Sequence, residues 1–426
     1  SAYGAPSDGS DYSGKNEYHK VYYHKIGTSQ SDDRLVYEDK DHPQRNAGAG
    51  VTDDEEYLVV TTSESTNGNS LMVRELSSNK DFVKMVDNFE TDNYIITHLE
   101  NGKFLIQTNY NAPNNKVVMA SVDQPRQSQW NDFIAEKDYV LNGVSLAGDK
   151  IIASYMKDVK SKIEVYDMSG KYLYDIELPG IGIANFNGHE EDSIAFYSFS
   201  SYTYPTTIFK YDVSKNTSEE YFKPKTAFDS EDYITEQKFF KSKDGTKVPM
   251  FITYKKGTER NGSTPTFLYG YGGFNISITP RFSVVNTVFL EQGGIYAVVN
   301  LRGGSEYGED WHKAGWRKNK QNVFDDFIAA AEYLIDSNYT SSQKLAIHGR
   351  SNGGLLAGAV MTQRPDLMKV SLPGVGVLDM LRYHKFTIGW AWAGEYGSAD
   401  QDKATFENLY SYSPLHNIKK GTNYPA

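Results

Sequence analysis

The stretch Lys344-Leu345-Ala346-Ile347-His348-Gly349-Arg350-Ser351-Asn352-Gly353-Gly354-Leu355-Leu356-Ala357-Gly358-Ala359 changes character twice. Leu345 to His348 is a short apolar run of strand length, and from Asn352 onward small and apolar residues read as a buried helix. Between them lies a glycine–serine–glycine turn. The pattern G-x-S-x-G is weak on its own, because a glycine- and serine-containing chain produces it by chance. A buried strand before it and a helix after it make it a strand-to-helix elbow. That geometry forces strained backbone angles on the serine and lifts its hydroxyl clear of the sheet. Gly349 and Gly353 are needed because a side chain at either would collide with the neighbouring strand and helix. Ser351 is therefore the candidate nucleophile. The competing reading is an ordinary strand–helix connection.

Strands and helices alternate on both sides of the elbow. Residues 237–257 read as a hairpin, turning at Lys243-Asp244-Gly245. Thr266-Phe267-Leu268-Tyr269 and Ile295-Tyr296-Ala297-Val298-Val299 are buried strand candidates, and Lys369-Val370-Ser371-Leu372 follows the elbow helix. From Asn322 to Asp336, Val323, Phe327, Ala330, Ala331 and Leu334 share one helical face. Asp325 and Asp326 are expected in its first turn, where the helix dipole favours acids. Strand, helix, strand in this order predicts a parallel α/β sheet.

Residues 1–225 read differently. Short alternating runs recur at Tyr57-Leu58-Val59-Val60, Phe104-Leu105-Ile106, Lys150-Ile151-Ile152-Ala153 and Ile194-Ala195-Phe196-Tyr197, each after an acidic or glycine-containing turn. The period of roughly 45–50 residues is that of a four-stranded propeller blade. One such sheet cannot bury both faces, so neighbours must stack. About four turns of the repeat are visible, and a β-sandwich is the alternative. The two domains expected are thus 1–225, a partial β-propeller, and 226–426, an α/β domain.

A chain of 426 residues is too long for one ordinary core. Its 39% hydrophobic and 23% charged residues are ordinary for a globular protein, and the 32 tyrosines suit many short strands. A net charge of -11 argues against nucleic acid and anionic membrane as partners. The absence of cysteine excludes disulfides and thiolate metal sites. No H-E-x-x-H or carboxylate pattern points to a metal, and no cofactor motif is present. No apolar run is long enough to span a membrane, and Ser1-Ala2-Tyr3-Gly4 carries no signal-peptide pattern. Either the cytoplasm or the periplasm fits.

A serine nucleophile needs donors for the charge that forms on the carbonyl oxygen. The backbone N–H of Asn352 offers one. Tyr269-Gly270-Tyr271-Gly272-Gly273-Phe274, directly after a strand, offers a second through its glycine backbone or a tyrosine hydroxyl. A plain glycine-rich turn competes with that reading.

These motifs, with Asn275-Ile276-Ser277, Arg302-Gly303-Gly304-Ser305-Glu306-Tyr307-Gly308 and Ser413-Pro414-Leu415-His416-Asn417, resemble the prolyl oligopeptidase family of serine peptidases. The spacing from Asp326 through Ala330 and Leu334 to the elbow resembles that family's active-site signature. The resemblance is strong from about residue 235 onward and weaker in the β half. It implies a seven-bladed propeller on an α/β-hydrolase domain, cleavage of short peptides after proline, and a monomer when complete. It implies Ser351 as nucleophile, Tyr271 as side-chain oxyanion donor and Asn352 as backbone donor. It also implies Phe274, Val377, Trp392 and Tyr396 as the lining of a proline pocket. Without it, Trp392 and Phe274 would read as core residues. A pocket built from packing discriminates by only ~1–3 kcal/mol per methylene, so some acceptance of alanine is expected.

Arg350 stands where many members of that family carry glycine, and no role is assigned to it. Triad order on this fold is Ser, Asp, His. The resemblance places the acid and base beyond Ala426 and the first blades upstream of Ser1, so the chain is expected to be truncated at both ends and inactive alone. An internal triad of Ser351, Asp379 and His416 is the alternative, although both partners fall in segments matching non-catalytic positions. His312, His348, His384 and His416 are expected to be structural. Two other functional readings remain: a non-catalytic peptide-binding scaffold, and a sibling oligopeptidase of different specificity.

Overall fold

The computed structural model describes residues 2–3, 16–78 and 80–426, so Ser1 and Gly4 lie outside the described residues. The chain divides into two compact units. One comprises Ser1–Lys137 with Arg382–Gly397, the other Asp138–Leu381 with Ser398–Ala426.

The β half consists of four-stranded antiparallel sheets whose first strands are Asn46–Val51, Asn93–Leu99, Val140–Ala147 and Ile183–Asn187. Their spacing is that of the predicted repeat. Alternation explains the strands: in Tyr57–Ser63, Leu58, Val60 and Thr62 are buried while their neighbours are partly exposed. The buried rows meet between sheets. Leu71 and Val73 of the first sheet share a core with Phe104, Ile106 and Val118 of the second. Ile152, Ile163 and Val165 of the third share one with Ala195, Tyr197 and Tyr211 of the fourth. This is the stacking that a repeated sheet requires. A two-stranded ladder, Lys20–Tyr23 with Arg34–Glu38, precedes them.

The α/β part is a six-stranded sheet made of β1 (Tyr233–Lys241), β2 (Lys247–Lys255), β3 (Thr266–Tyr269), β4 (Ile295–Val299), β5 (Leu345–Arg350) and β6 (Val370–Gly374), in the order β1-β2-β4-β3-β5-β6. The hairpin β1–β2 is antiparallel and β2 joins β4 antiparallel. From β4 through β3 and β5 to β6 every pairing is parallel. The expected hairpin is thus an antiparallel edge on strands that pair parallel among themselves, as their alternation with helices predicts. The cause is the short connection through Lys243-Asp244-Gly245 between Lys241 and Lys247, because so short a link can return only antiparallel. All five residues of β4 are buried, as a strand covered on both faces must be.

Three helices matter here: α1 (Val284–Glu291), α2 (Gln321–Asp336) and α3 (Asn352–Gln363). Val323, Phe324, Phe327, Ala330, Ala331 and Leu334 form the buried stripe of α2. The helix begins at Gln321, which corrects the reading of Asp325 and Asp326 as first-turn acids. Asp326 is fully buried and pairs with Arg302, whose Nη2 lies 2.6 Å from Asp326 Oδ1. Its place is decided by a partner across the core rather than by the helix dipole. Ala426 lies along β6, donating to Lys369 O at 3.2 Å and accepting from Ser371 N at 2.9 Å.

Candidate active site

Ser351 sits between β5 and α3 with φ 57° and ψ -117°, a left-handed conformation that L side chains rarely adopt. Its N–H donates to Gly374 O at 2.9 Å, and its carbonyl accepts from Gly354 N at 2.9 Å and Leu355 N at 3.1 Å. The backbone is thus held on three sides while the residue itself is exposed. A Cβ at Gly349 would lie 2.1 Å from Gly353 O, one at Gly353 2.7 Å from Gly270 O, and one at Gly354 2.6 Å from Gly374 O. Each is backbone that cannot swing aside. The elbow exists because these three positions carry no side chain.

The loop after β3 arrives at the same place. Gly270 N donates to His348 O at 3.2 Å, bringing Tyr271 alongside the elbow. A Cβ on Gly353 would sit 3.5 Å from Tyr271 Cδ2, so the tyrosine ring lies beside the first turn of α3. The buried side chain of Asn352 donates to Tyr271 O at 2.6 Å. Asn352 is thus the first residue of α3, and its side-chain amide fastens the loop after β3 to that helix. Lys320, also buried, donates to Gly272 O at 2.9 Å from beneath the loop. Phe274 and Asn275 both adopt positive φ, 58° and 56°, so the loop reverses sharply at the phenylalanine. The structure brings Ser351, Asn352 and Tyr271 together, with Phe274 three residues along the same loop.

Val377 follows β6 on a segment pressed against the start of α3, where a Cβ on Gly354 would lie 2.6 Å from Gly376 Cα. Trp392 and Tyr396 belong to the other compact unit. There Trp392 stacks on Tyr383 at 6.4 Å and 14°, and the buried Tyr396 meets the same ring edge-on at 5.4 Å.

His348 Nδ1 lies 2.8 Å from Leu372 O, as a structural histidine should. His416 Nδ1 lies 2.8 Å from Ser413 Oγ, and Asp379 accepts from Leu381 N at 3.2 Å. Each of these two bonds joins residues two or three apart in the chain. Arg350 is exposed, and its positive charge opposes the upward push that burial gives the Tyr269 hydroxyl.

Sequence reading missed Lys320 and the amide of Asn352. A lysine just before an amphipathic helix reads as solvated, and nothing in its neighbours signals burial. It also missed a grouping between the first two blades. Ligand-type atoms of Asp54, Glu56 and His98 lie within 4.8 Å of one another, and His98 Nδ1 is bonded to Asp54 at 2.5 Å. That bond makes it an inter-sheet clasp.

Residues 1–224 match the model of the prolyl oligopeptidase N-terminal beta-propeller domain, and residues 280–426 match that of the prolyl oligopeptidase family. The chain is 49% identical over 427 residues to a prolyl endopeptidase of Elizabethkingia meningoseptica, covering 100% of this chain and 60% of that protein. It is 44% identical over 431 residues to a prolyl endopeptidase of Dictyostelium discoideum, covering 96% and 56%. Among solved structures it is similar to prolyl oligopeptidase B from Galerina marginata bound to a 25mer macrocyclization substrate. That match has a TM-score of 0.94 and 35% identity, and covers 100% of this chain and 60% of that one. The chain therefore spans about 60% of the length of such relatives. Among the described residues no helix is long and apolar enough to cross a membrane. With a propeller-type β half, an α/β-hydrolase sheet and a serine elbow matched over their length, the chain belongs to the prolyl oligopeptidase family.

Proposed function

We propose that this chain is the larger part of a serine endopeptidase that hydrolyses short peptides on the carboxyl side of proline. The observation that carries the reading is the pairing of an outward-strained Ser351 with a loop fastened to the following helix by Asn352. Ser351 Oγ attacks the carbonyl carbon of the proline residue, and its proton passes to a histidine base oriented by an aspartate. We place both beyond Ala426. The oxyanion that forms accepts from the Asn352 N–H and the Tyr271 hydroxyl. Collapse expels the amine, leaving an acyl-enzyme on Ser351 that water hydrolyses.

Specificity is assigned to Phe274, Val377, Trp392 and Tyr396, which would hold the flat, apolar proline ring by packing. The domains implied are 1–225 and 226–426. The partners implied are proline-containing peptides, with a monomeric complete protein acting without a metal or cofactor.

The complete protein is expected to cleave a Gly-Pro chromogenic peptide, whereas residues 1–426 alone are essentially inactive. Loss of the base costs several orders of magnitude in turnover. In the complete protein Trp392→Ala lowers the proline-to-alanine ratio of kcat/KM by ~10-fold or more, the scale of a few methylene contacts. Brisk turnover by residues 1–426, or an unchanged ratio in the variant, would refute the corresponding assignment.

A further inference from the structure

The loop that carries Tyr271 and Phe274 is gripped by the loop that follows β4. Near Phe274, Asn275 N donates to Gly303 O at 3.1 Å. At the far end, Ile278 N donates to Glu306 Oε1 at 2.9 Å, and Asn300 Nδ2 donates both to Glu306 Oε1 at 3.2 Å and to Ile278 O at 2.6 Å. Ser277 Oγ and Ser305 Oγ are 2.8 Å apart. A Cβ on Gly304 would lie 2.1 Å from Glu306 Oε2, so glycine is what lets the carboxyl fold back into this space. Glu306 is 2% exposed, and its second oxygen is buried without a hydrogen-bond partner.

We propose that Glu306 is a positioning residue for the substrate-facing loop: its buried carboxyl accepts from Ile278 N and so holds the left-handed reversal at Phe274 and Asn275. The inference rests on the reading of Ser351 as nucleophile only for its catalytic consequence. Among the described residues no cation pairs with this carboxyl. The titratable groups that face it are Tyr202 and Tyr307, with Asp158 behind Tyr307 at 3.1 Å from its hydroxyl. None of these is a cation. Burial pushes the Glu306 carboxyl up to about 7, against the pull of its hydrogen bonds. Above that pH a buried charge with an unpartnered oxygen demands water. A cavity of about 290 Å³, lined by Tyr202, Ser277 and Ile278 among others, adjoins the same segment and can admit it. Ionisation therefore loosens the arm from Phe274 to Ile278.

The test uses the complete protein, wild type and Glu306→Gln, which keeps the acceptor for Ile278 but cannot ionise. Backbone hydrogen exchange across residues 274–279, corrected for intrinsic rate, is compared from pH 5.5 to pH 8.5. KM and kcat for a Gly-Pro chromogenic peptide are followed over the same range. Exchange in the wild type is expected to rise several-fold with a midpoint near pH 7, and KM to rise with it more than kcat falls. In Glu306→Gln the exchange profile flattens and the rise in KM is lost, whereas kcat keeps the pH dependence of the histidine base. An exchange profile that still rises in the variant, or equal protection of Ile278 at both extremes in the wild type, would overturn the proposal. If Glu306→Gln fails to fold, the wild-type exchange profile decides alone. If the wild type does not cleave the peptide, the nucleophile reading fails while the exchange measurement still judges the clasp.

Discussion

The blades and the mixed sheet bury comparable strands under opposite tolerances. In the blade strands alternate residues of one sheet meet those of the next, and tight demands for glycine fall at the turns, as at Gly68 and Gly182, rather than inside the strands. Gly50 and Gly143 lie in blade strands, and a Cβ added to either meets nothing within 4 Å. Around the elbow, Gly349, Gly353 and Gly354 each face backbone at 2.1–2.7 Å. Repetition spreads the packing demand, whereas the elbow concentrates it on three residues whose missing side chains create an exposed, strained serine.

The comparison is most severely strained by Gly349→Ala. With Gly353 O at 2.1 Å, strand and helix must part. The expected loss is about 4 kcal/mol or more, the range of exceptional single substitutions. Denaturant melts of the complete protein measure it, and a cost below about 1 kcal/mol would mean the elbow is not tightly built. Next in size is Tyr271→Phe, which leaves the loop's backbone ties intact and removes one hydroxyl. On the oxyanion reading it lowers kcat by ~10²–10³ with little change in stability. A kcat within about twofold of wild type would take Tyr271 out of the oxyanion site. The smallest effect belongs to Gly143→Ala in the third blade, which is expected to be neutral or to stabilise by about 0.4–1 kcal/mol through the unfolded chain. A large loss there would erase the contrast between the two regions.

Much of this was legible because local signals agreed with the fold. The period of the blades came from turns recurring before apolar runs, and Thr266–Tyr269 and Ile295–Val299 were recognisable as buried strands from composition and length. The elbow was legible because its glycines have a steric reason that the structure reproduces at Gly349 and Gly353. Burial of polar residues was not legible. Lys320, Asp326 and Glu306 look like surface residues in sequence, and each is placed by a partner far along the chain: Gly272, Arg302 and Ile278 respectively. Nothing in local periodicity encodes such a partner. For the same reason the acids at Asp325 and Asp326 looked alike, although only Asp326 is fully buried.

Glu306 extends the contrast to acid–base behaviour. Its carboxyl stays protonated in the folded state up to about pH 7, while in the unfolded chain it ionises near its ordinary 4.5. The folded state therefore binds the extra proton between these values. This group's contribution to stability is full below about pH 4.5 and is lost as pH rises to about 7. The blade carboxylate Asp54 runs the other way. Although partial burial raises its affinity for a proton, hydrogen bonds from His98 and Thr52 outweigh this and hold it below the usual range. Its contribution is lost on acidification instead.

The account turns on the reactivity of one hydroxyl, and mass-spectrometric mapping of a fluorophosphonate adduct on the complete protein tests it most directly. The modified peptide is predicted to contain Ser351, and the adduct to vanish in Ser351→Ala while the fold persists. An adduct on another serine, or unmodified Ser351 in a protein that still cleaves after proline, would contradict it.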